Sequence, residues 1–172
     1  MPPVSGGRYR DRQARDAAAG EAVAGLYRAH YRSLTRIAAL LVSDTATAEE
    51  IVQAAFVSLY RARRQLADED KALAYLRRAV ISGTRSRDAA PGDPPSLWAG
   101  PPPGGWPDPS TREVLMAALH ELPARQCEAL ILRYYAEWPE GQIAAAMGIS
   151  SQAVMSLIAR GMSTLRARRV LD

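Results

Sequence analysis

Residues 88–110, DAAPGDPPSLWAGPPPGGWPDPS, limit what the chain can fold into more than any other stretch. They hold eight of the chain's twelve prolines, together with four glycines. Proline removes a backbone donor and fixes φ, so neither a helix nor a central strand can run through this density. We predict an extended, partly polyproline linker between two domains. The domains are expected over residues 20–87 and 111–170, with a disordered N-terminal tail over residues 1–19.

The first half of the chain carries the apolar periodicity of helices. Apolar residues recur at three- and four-residue spacing from Val23 to Leu41, and His30 lies in that stripe as an expected core residue. A second helix is predicted to open on a capping box of Thr47 and Glu50, and a third to run over about residues 70–87. Alanine and leucine dominate while phenylalanine occurs once, which favours helix over sheet. The predicted fold class is therefore all-α, with two small helical bundles joined by a Pro/Gly-rich flexible linker.

The second half of the chain ends in a helix-turn-helix pattern. A capping box over residues 110–113 opens a first helix, a Leu-Pro step ends it, and a second helix runs through residues 127–135. Pro139 suits the first turn of a third helix, which Gly148 ends. Ser150 can cap a fourth helix directly after this glycine. Glycine-hinged helix pairs of this kind either bind DNA or form plain corners of a bundle.

The start of the fourth helix has the residue types that read base edges. A helix-turn-helix places the amino-terminal residues of its second helix in the major groove. Gln152 can bond adenine in a bidentate way, serine can bond either partner of a base pair, and small or apolar groups can contact a thymine methyl. Arginine further along can reach phosphate, which positions a protein without specifying sequence. The candidate duplex-binding residues are Ser151, Gln152, Ala153, Met155, Ser156 and Arg160.

A basic, aromatic segment precedes the linker. Between residues 57 and 87 there are eight basic residues against three acidic ones, and Tyr60 and Tyr75 lie among them. Cationic groups interleaved with aromatic rings suit a single-stranded backbone whose exposed bases can stack. A solvated arginine-rich helix face would give the same pattern.

Composition narrows the class of protein further. The net charge is +4 and the excess is almost all arginine, which suits phosphate partners. Cys127 is the single cysteine, and only His30 and His120 could join it, so neither a disulfide nor a zinc cage is predicted. The amino terminus lacks the apolar core of a signal peptide, and no apolar run reaches membrane-spanning length. We expect a cytoplasmic protein with no membrane partner, no cofactor, no metal and no enzymatic activity.

Two longer stretches carry a family resemblance. The run AEEIVQAAFVSLYRARRQL, followed by ALAYLRRAVISGTRSR, resembles the promoter-melting domain of extracytoplasmic-function sigma factors of the sigma-70 family. The run ELPARQCEALILRYYAEWPEGQIAAAMGISSQAVMSLIARGMSTLRARR resembles the domain of the same family that reads the −35 element. The resemblance covers about residues 20–170. It implies an alternative sigma factor that binds the clamp and flap regions of core RNA polymerase and directs promoter-specific initiation, and it leaves an anti-sigma partner open.

The resemblance also implies roles for single residues. Binding to core polymerase falls on Glu49, Glu50, Gln53 and Ser58. Capture of the −10 nontemplate strand falls on Arg61, Arg64, Tyr75, Arg77, Arg78, Ser82 and Arg85. The candidate duplex-binding residues would face the −35 major groove. Five positions depart from the family pattern. Ala54 replaces a usual acid, Ser82 a common asparagine, Met155 and Leu157 basic or polar residues, and Cys127 a frequent arginine.

A free-standing helix-turn-helix regulator is the alternative, with the first bundle as a sensor or dimerisation domain. A response regulator would need an α/β receiver domain with clustered acids, and the sequence predicts none. A repressor would more naturally dimerise on half-sites than carry a basic, aromatic bundle on a proline-rich arm. A sigma factor, by contrast, should bind DNA specifically only together with core polymerase.

Overall fold

The computed structural model describes the backbone of residues 6–66, 68–86 and 109–168. Side chains are described over residues 10–66, 68–86 and 113–168. These residues form seven α-helices and one π-helical turn. They are α1 (Gly6–Val42), α2 (Thr45–Ala62), α3 (Glu69–Ser86), α4 (Pro109–His120), α5 (Ala124–Leu130), the π-turn (Ile131–Tyr135), α6 (Glu140–Met147) and α7 (Ser151–Ala167). The all-α fold class is confirmed. Most of the predicted linker, with Trp98 and Trp106, and the side chain of Ser110 lie outside the described residues.

The first domain is a bundle of α1, α2 and α3. Its core is built by the apolar stripes that the sequence predicts, with Leu34, Val52, Leu59 and Leu76 fully enclosed. The predicted capping box at Thr47 is wrong. The N-cap of α2 is Asp44, whose carboxylate accepts a hydrogen bond of 2.7 Å from the Thr47 backbone N–H.

The disordered tail expected over residues 1–19 is also wrong for the residues that the structure describes, because α1 begins at Gly6. From residue 10 to residue 19 the chain consists of arginine, aspartate, glutamine and alanine, and most of these are good helix formers. Asp16 in this segment pairs with Arg64 and approaches Arg63, beyond the end of α2. The segment therefore extends α1 without an apolar stripe of its own.

In the second domain α5 packs against α7, and the π-turn directly follows α5. Gly161 of α7 lies so close to α5 that a Cβ there would meet the Leu130 side chain at 2.7 Å. After the π-turn, the backbone N–H of Trp138 donates to the carbonyl of Leu132 at 3.0 Å, and the Trp138 ring is buried. The two domains contact each other directly, through α3 against α6 and α1 against the π-turn.

Candidate polymerase and nucleic-acid interfaces

The helices α6 and α7 have the geometry of a helix-turn-helix. Their axes meet at 98°, within the range typical of this motif. Gly148 ends α6 with φ of +67°, a left-handed conformation that glycine adopts without strain, and its N–H donates to the Ala144 carbonyl. Ser150 caps α7 by accepting a 3.2 Å hydrogen bond from the Ala153 backbone N–H. Both predicted signals, the glycine stop and the serine cap, are confirmed.

The predicted duplex-binding residues lie along one exposed face of α7. Gln152, Met155 and Ser156 are exposed in the first turns, and Arg160 is exposed one turn further on. Ser151 is exposed at the amino end, Ala153 is half-buried, and Val154 is fully buried behind them. The Ser156 hydroxyl donates to the Gln152 carbonyl at 3.0 Å, so its oxygen keeps lone pairs that can accept a hydrogen bond. This exposed face of α7 holds hydrogen-bond donors and acceptors together with the apolar side chain of Met155.

The predicted polymerase-binding residues differ in exposure, and they do not all lie on one face of α2. Glu50 and Gln53 are exposed on one face of α2, and Val57, half of whose surface is exposed, continues that face one turn later. Glu49 is half-buried at its edge. Ser58 follows Gln53 by five residues, which is off the helical repeat, and it is half-buried. The structure therefore groups Glu50, Gln53 and Val57 and separates Ser58 from them.

Three of the predicted strand-binding residues form a stripe on α3. Tyr75, Arg78 and Ser82 are spaced by three and four residues, and all three are exposed. Tyr75 is 36% exposed, so part of the residue is open to solvent. A base could stack on this ring while Arg78 reaches the backbone beside it.

Two further strand-binding residues lie at the end of α2. Arg61 is in the last turn and is exposed, and Arg64 follows the helix. The guanidinium of Arg64 donates from Nε to Asp16 at 2.6 Å and makes a second bond to the same carboxylate. The hydrogen bond from Arg64 is the largest cause that lowers the pKa of Asp16. Arg64 is thus held by α1.

The last two strand-binding residues, Arg77 and Arg85, face the second domain. The Arg77 guanidinium lies 4.9 Å from the centre of the Trp138 ring, within cation–π range, and burial lowers the pKa of Arg77. Arg85 forms a fork on Glu128, with Nε donating at 3.1 Å and Nη2 at 2.5 Å. The Glu128 side chain is only 5% exposed.

Neither His30 nor Cys127 forms part of a metal or catalytic site. Among the described residues, no three His, Cys, Asp or Glu side chains come together as metal ligands. His30 is only half-buried and lines a cavity between the domains, so its predicted place in a core is only partly right. Cys127 is buried, and burial raises the pKa of its thiol to about 12, with a smaller contribution from Glu128. A thiol in this state is a poor nucleophile.

Sequence reasoning missed the partners of the arginines. Asp16, Glu128 and Trp138 each contact a predicted strand-binding residue, and they come from elements distant in sequence. Periodicity within one helix carries no signal for such pairs. Val57 could have been found, because it falls on the helical repeat from Gln53.

The two domains match known sequence families. The family described as "Sigma-70 region 2" matches residues 26–89, and "Sigma-70, region 4" matches residues 112–165. An RNA polymerase sigma-E factor of Streptomyces avermitilis is 32% identical over 143 residues, which are 78% of this chain and 77% of that protein. The RNA polymerase sigma-E factor of Streptomyces coelicolor is 29% identical over 142 residues, 80% of each chain.

Solved structures share the fold. CnrH, solved in complex with the cytosolic domain of CnrY, has a TM-score of 0.64 at 22% identity, covering 92% of this chain and 99% of CnrH. The sigma factor RpoE of Bartonella quintana, solved with the anti-sigma factor NepR, has a TM-score of 0.61 at 19% identity, covering 85% of this chain and 95% of RpoE.

A region 2 bundle followed by a region 4 helix-turn-helix defines a promoter-specificity subunit of bacterial RNA polymerase, a class that performs no covalent chemistry. The chain belongs to the sigma-70 family, as an extracytoplasmic-function sigma factor that directs transcription initiation. Within the part of the chain that the structure describes, no single helix is long and apolar enough to cross a membrane, and only the bent pair of α6 and α7 meets that criterion jointly.

Proposed function

We propose that this sigma factor uses three separate surfaces for three steps of transcription initiation. The exposed face of α7 reads the −35 duplex, the stripe on α3 captures the melted −10 strand, and the exposed face of α2 docks on core polymerase. The single observation that supports this division most is the α7 face, where Gln152 and Ser156 stand exposed directly after a capped helix start. Hydrogen-bonding groups in that position are what base recognition in the major groove requires.

The strand-capture surface is supported by chemistry as well as position. Tyr75 offers a partly exposed aromatic side chain, and Arg78 and Ser82 on the same stripe offer a charge and a hydroxyl. Stacking on an aromatic ring is tolerant of sequence, while arginine tracks the backbone. Duplex DNA keeps its bases inside the stack, so this surface gains its contacts only after melting.

The docking surface combines polar and apolar groups. Glu50 and Gln53 lie beside Val57, which exposes half of its surface although it is apolar. An apolar residue ringed by polar ones is typical of a protein–protein interface. A cytoplasmic location follows from this partner. Restraint by an anti-sigma protein is also part of the proposal, since RpoE, which shares the fold, was solved with its anti-sigma factor.

Run-off transcription with purified core polymerase on a promoter library tests the function as a whole. We expect specific transcripts with core polymerase present, and only weak, non-specific DNA binding by the sigma factor alone. Tight, specific binding of duplex DNA without polymerase would instead support a free-standing regulator.

The docking surface is tested by Glu50→Lys combined with Gln53→Ala. Both side chains are exposed, so we expect weaker binding to core polymerase with little change in thermal stability. Glu21→Lys is the matched control, because Glu21 is an exposed carboxylate on α1 whose ion pair with Arg28 is also exposed. Unchanged affinity of the α2 variant for core polymerase would remove this surface from the proposal.

A further inference from the structure

A carboxylate from the N-terminal part of α1 binds one of the predicted strand-binding arginines. Asp16 precedes residue 26, where the match to region 2 begins. The Arg64 guanidinium donates from Nε to Oδ1 of Asp16 at 2.6 Å and from Nη2 to Oδ2. This hydrogen bonding lowers the pKa of Asp16 and raises the pKa of Arg64, so both groups stay charged in the pair. Two bonds to one carboxylate fix the plane of the guanidinium as well as its position.

The carboxylate lies on a helix that is itself held in place. Asp16 belongs to α1, a continuous helix whose later turns enter the core at Leu26. At Gly20, one turn beyond Asp16, α1 lies close to α2, and a Cβ there would be 3.9 Å from Cε2 of Tyr60. Arg64, by contrast, follows the end of α2. The pair therefore ties a long side chain beyond a helix end to a helix that the core anchors.

The bonds to Asp16 leave much of the Arg64 guanidinium available. A guanidinium carries five N–H groups, and this pair uses one on Nε and one on Nη2. The pair does not use the two N–H groups on Nη1 or the second one on Nη2, and the Arg64 side chain is 61% exposed. A second oxyanion, such as a phosphate, can be bound by this other edge in the same planar geometry.

A cavity of about 840 Å³ lies beside the pair, and both residues line it. Its volume is in the range of sites that bind small ligands. Four arginines, among them Arg12 and Arg15 of α1, line the cavity together with three carboxylates, so its net charge is small. The overall field there attracts a phosphate only weakly. The direction of each N–H group therefore matters more for binding than the number of cations does.

We propose that Asp16 is a positioning residue for strand capture, which orients Arg64 so that its other edge binds a phosphate of the melted strand beside this cavity. The inference rests on the proposed strand capture by the first domain and adds to it a residue that precedes the region 2 match. Because Arg64 is ordered before the strand arrives, less side-chain freedom is lost on binding.

Simple electrostatics predicts the opposite effect of this carboxylate. A negative charge near the strand repels phosphate, so its removal should tighten binding if Asp16 acts only as a charge. Its removal should weaken binding if Asp16 orients Arg64. The sign of the change in affinity distinguishes the two roles.

Asp16→Ala, assembled with core polymerase, tests the orientation of Arg64. We expect binding to a premelted bubble template to weaken about two- to tenfold, the cost of ordering one long side chain on binding. The slope of log affinity against log salt should fall by up to about one as the phosphate contact is lost. Asp16→Glu keeps both carboxylate oxygens and should restore most of the affinity.

The matched control is Glu21→Ala. It removes an exposed carboxylate from the same helix, where Glu21 pairs with the exposed Arg28, and it should not weaken binding to the bubble template. Neither variant should change the melting temperature much, because ion pairs at the surface contribute little to stability.

A double-mutant cycle shows whether Asp16 acts through Arg64. In the Arg64→Ala background, Asp16→Ala should cause no further loss, because the side chain that it orients is gone. Unchanged or tighter binding by Asp16→Ala alone, or an equal loss in both backgrounds, would overturn the positioning role. If the native holoenzyme binds the bubble template no better than duplex DNA, the proposed strand capture fails instead.

Discussion

Gln152 stands exposed in the first turn of α7, where one side chain can distinguish one base pair from another. Its amide can make a donor and an acceptor contact to the same adenine, and alanine can make neither. We expect Gln152→Ala to cost about 1–3 kcal/mol at one base pair of the upstream element and to relax the preference there. Holoenzyme binding to a set of single-base promoter variants measures this. A uniform loss across the set would mean that Gln152 does not read a base.

Arg160 lies two turns further along α7, is also exposed, and should contact phosphate. Arg160→Ala should therefore weaken binding to all promoters about equally and lower the slope of log affinity against log salt by roughly one. Titrations at several salt concentrations measure the slope. A change confined to one base position would contradict the assignment to phosphate.

Tyr75 is partly exposed on α3, and its stacking contribution should appear only once bases leave the duplex. Tyr75→Ala should leave formation of the closed promoter complex nearly intact and impair opening, which permanganate footprinting detects. A template with a premelted bubble should partly rescue the variant. Loss of duplex binding, or no rescue by the bubble, would show that α3 does not capture a strand.

The exposure of a single residue could be predicted where it depends only on the position of that residue in the repeat of its own helix. Gln152, Tyr75 and Arg78 are exposed as the helical repeat requires, and Val154 is buried on the other side of α7 from Gln152. The environment of Arg85 could not be predicted in this way. Its partner Glu128 lies 43 residues later in the chain, and such a pair is set by domain packing.

Helices α2 and α3 approach each other closely at Gly83. A Cβ at this position would lie 2.7 Å from the Cγ2 methyl of Ile51. That methyl is attached to a branched Cβ with one preferred rotamer in a helix, so it cannot turn aside. Gly83→Ala should lose about 1–3 kcal/mol to overpacking and regain about 1 kcal/mol of helix propensity, for a net loss measured by urea unfolding.

Gly25 provides the matched control for this substitution. It also lies inside a helix, α1, but a Cβ there meets no atom within 4 Å among the described residues. Gly25→Ala should therefore stabilise the chain, by up to about 1 kcal/mol. If both substitutions shift the free energy of unfolding in the same direction, the close approach at Gly83 is not what decides the effect.

The helices differ in how well the sequence predicted them. Where caps and stops are local, as for α6 and α7, the ends were predicted to the residue or nearly so. The start of α1 was missed because residues 10–19 have no apolar stripe, and propensity alone rarely decides a helix. The π-turn was also missed, since a widened turn after α5 has no local sequence signal of its own.

At the scale of the molecule, the proline-rich linker suggested two independent domains, yet the structure packs them together. Each bundle is small, and a domain of this size buries little apolar surface and is marginally stable alone. The contacts of Arg85 with Glu128 and of Arg77 with Trp138 add stabilising interactions to both domains. The composition of the linker indicates where one domain ends and the next begins. It carries no information about which surfaces of the two domains contact each other.

One histidine at this domain interface has a shifted pKa. His30 lines a cavity of about 500 Å³ between the domains, beside Arg36 and Arg77 of the first domain and Trp138 and Gln142 of the second. Burial lowers the pKa of His30, the charge of Arg77 lowers it further, and Glu69 opposes the shift. The folded state therefore binds a proton at His30 less readily than the unfolded chain does.

The direction of the pH dependence follows from this lowered pKa. Below the unfolded value of about 6.5 the unfolded chain takes up a proton that the folded state resists, so stability falls as the pH drops from there through the folded pKa. The melting temperature should decline as the pH falls below about 6.5, because a protonated His30 would be partly buried beside the charge of Arg77. His30→Gln, which stays neutral, should flatten this part of the profile while leaving the decline at lower pH that the carboxylates cause. Identical slopes for the native chain and the variant would show that His30 does not contribute to the pH dependence of stability.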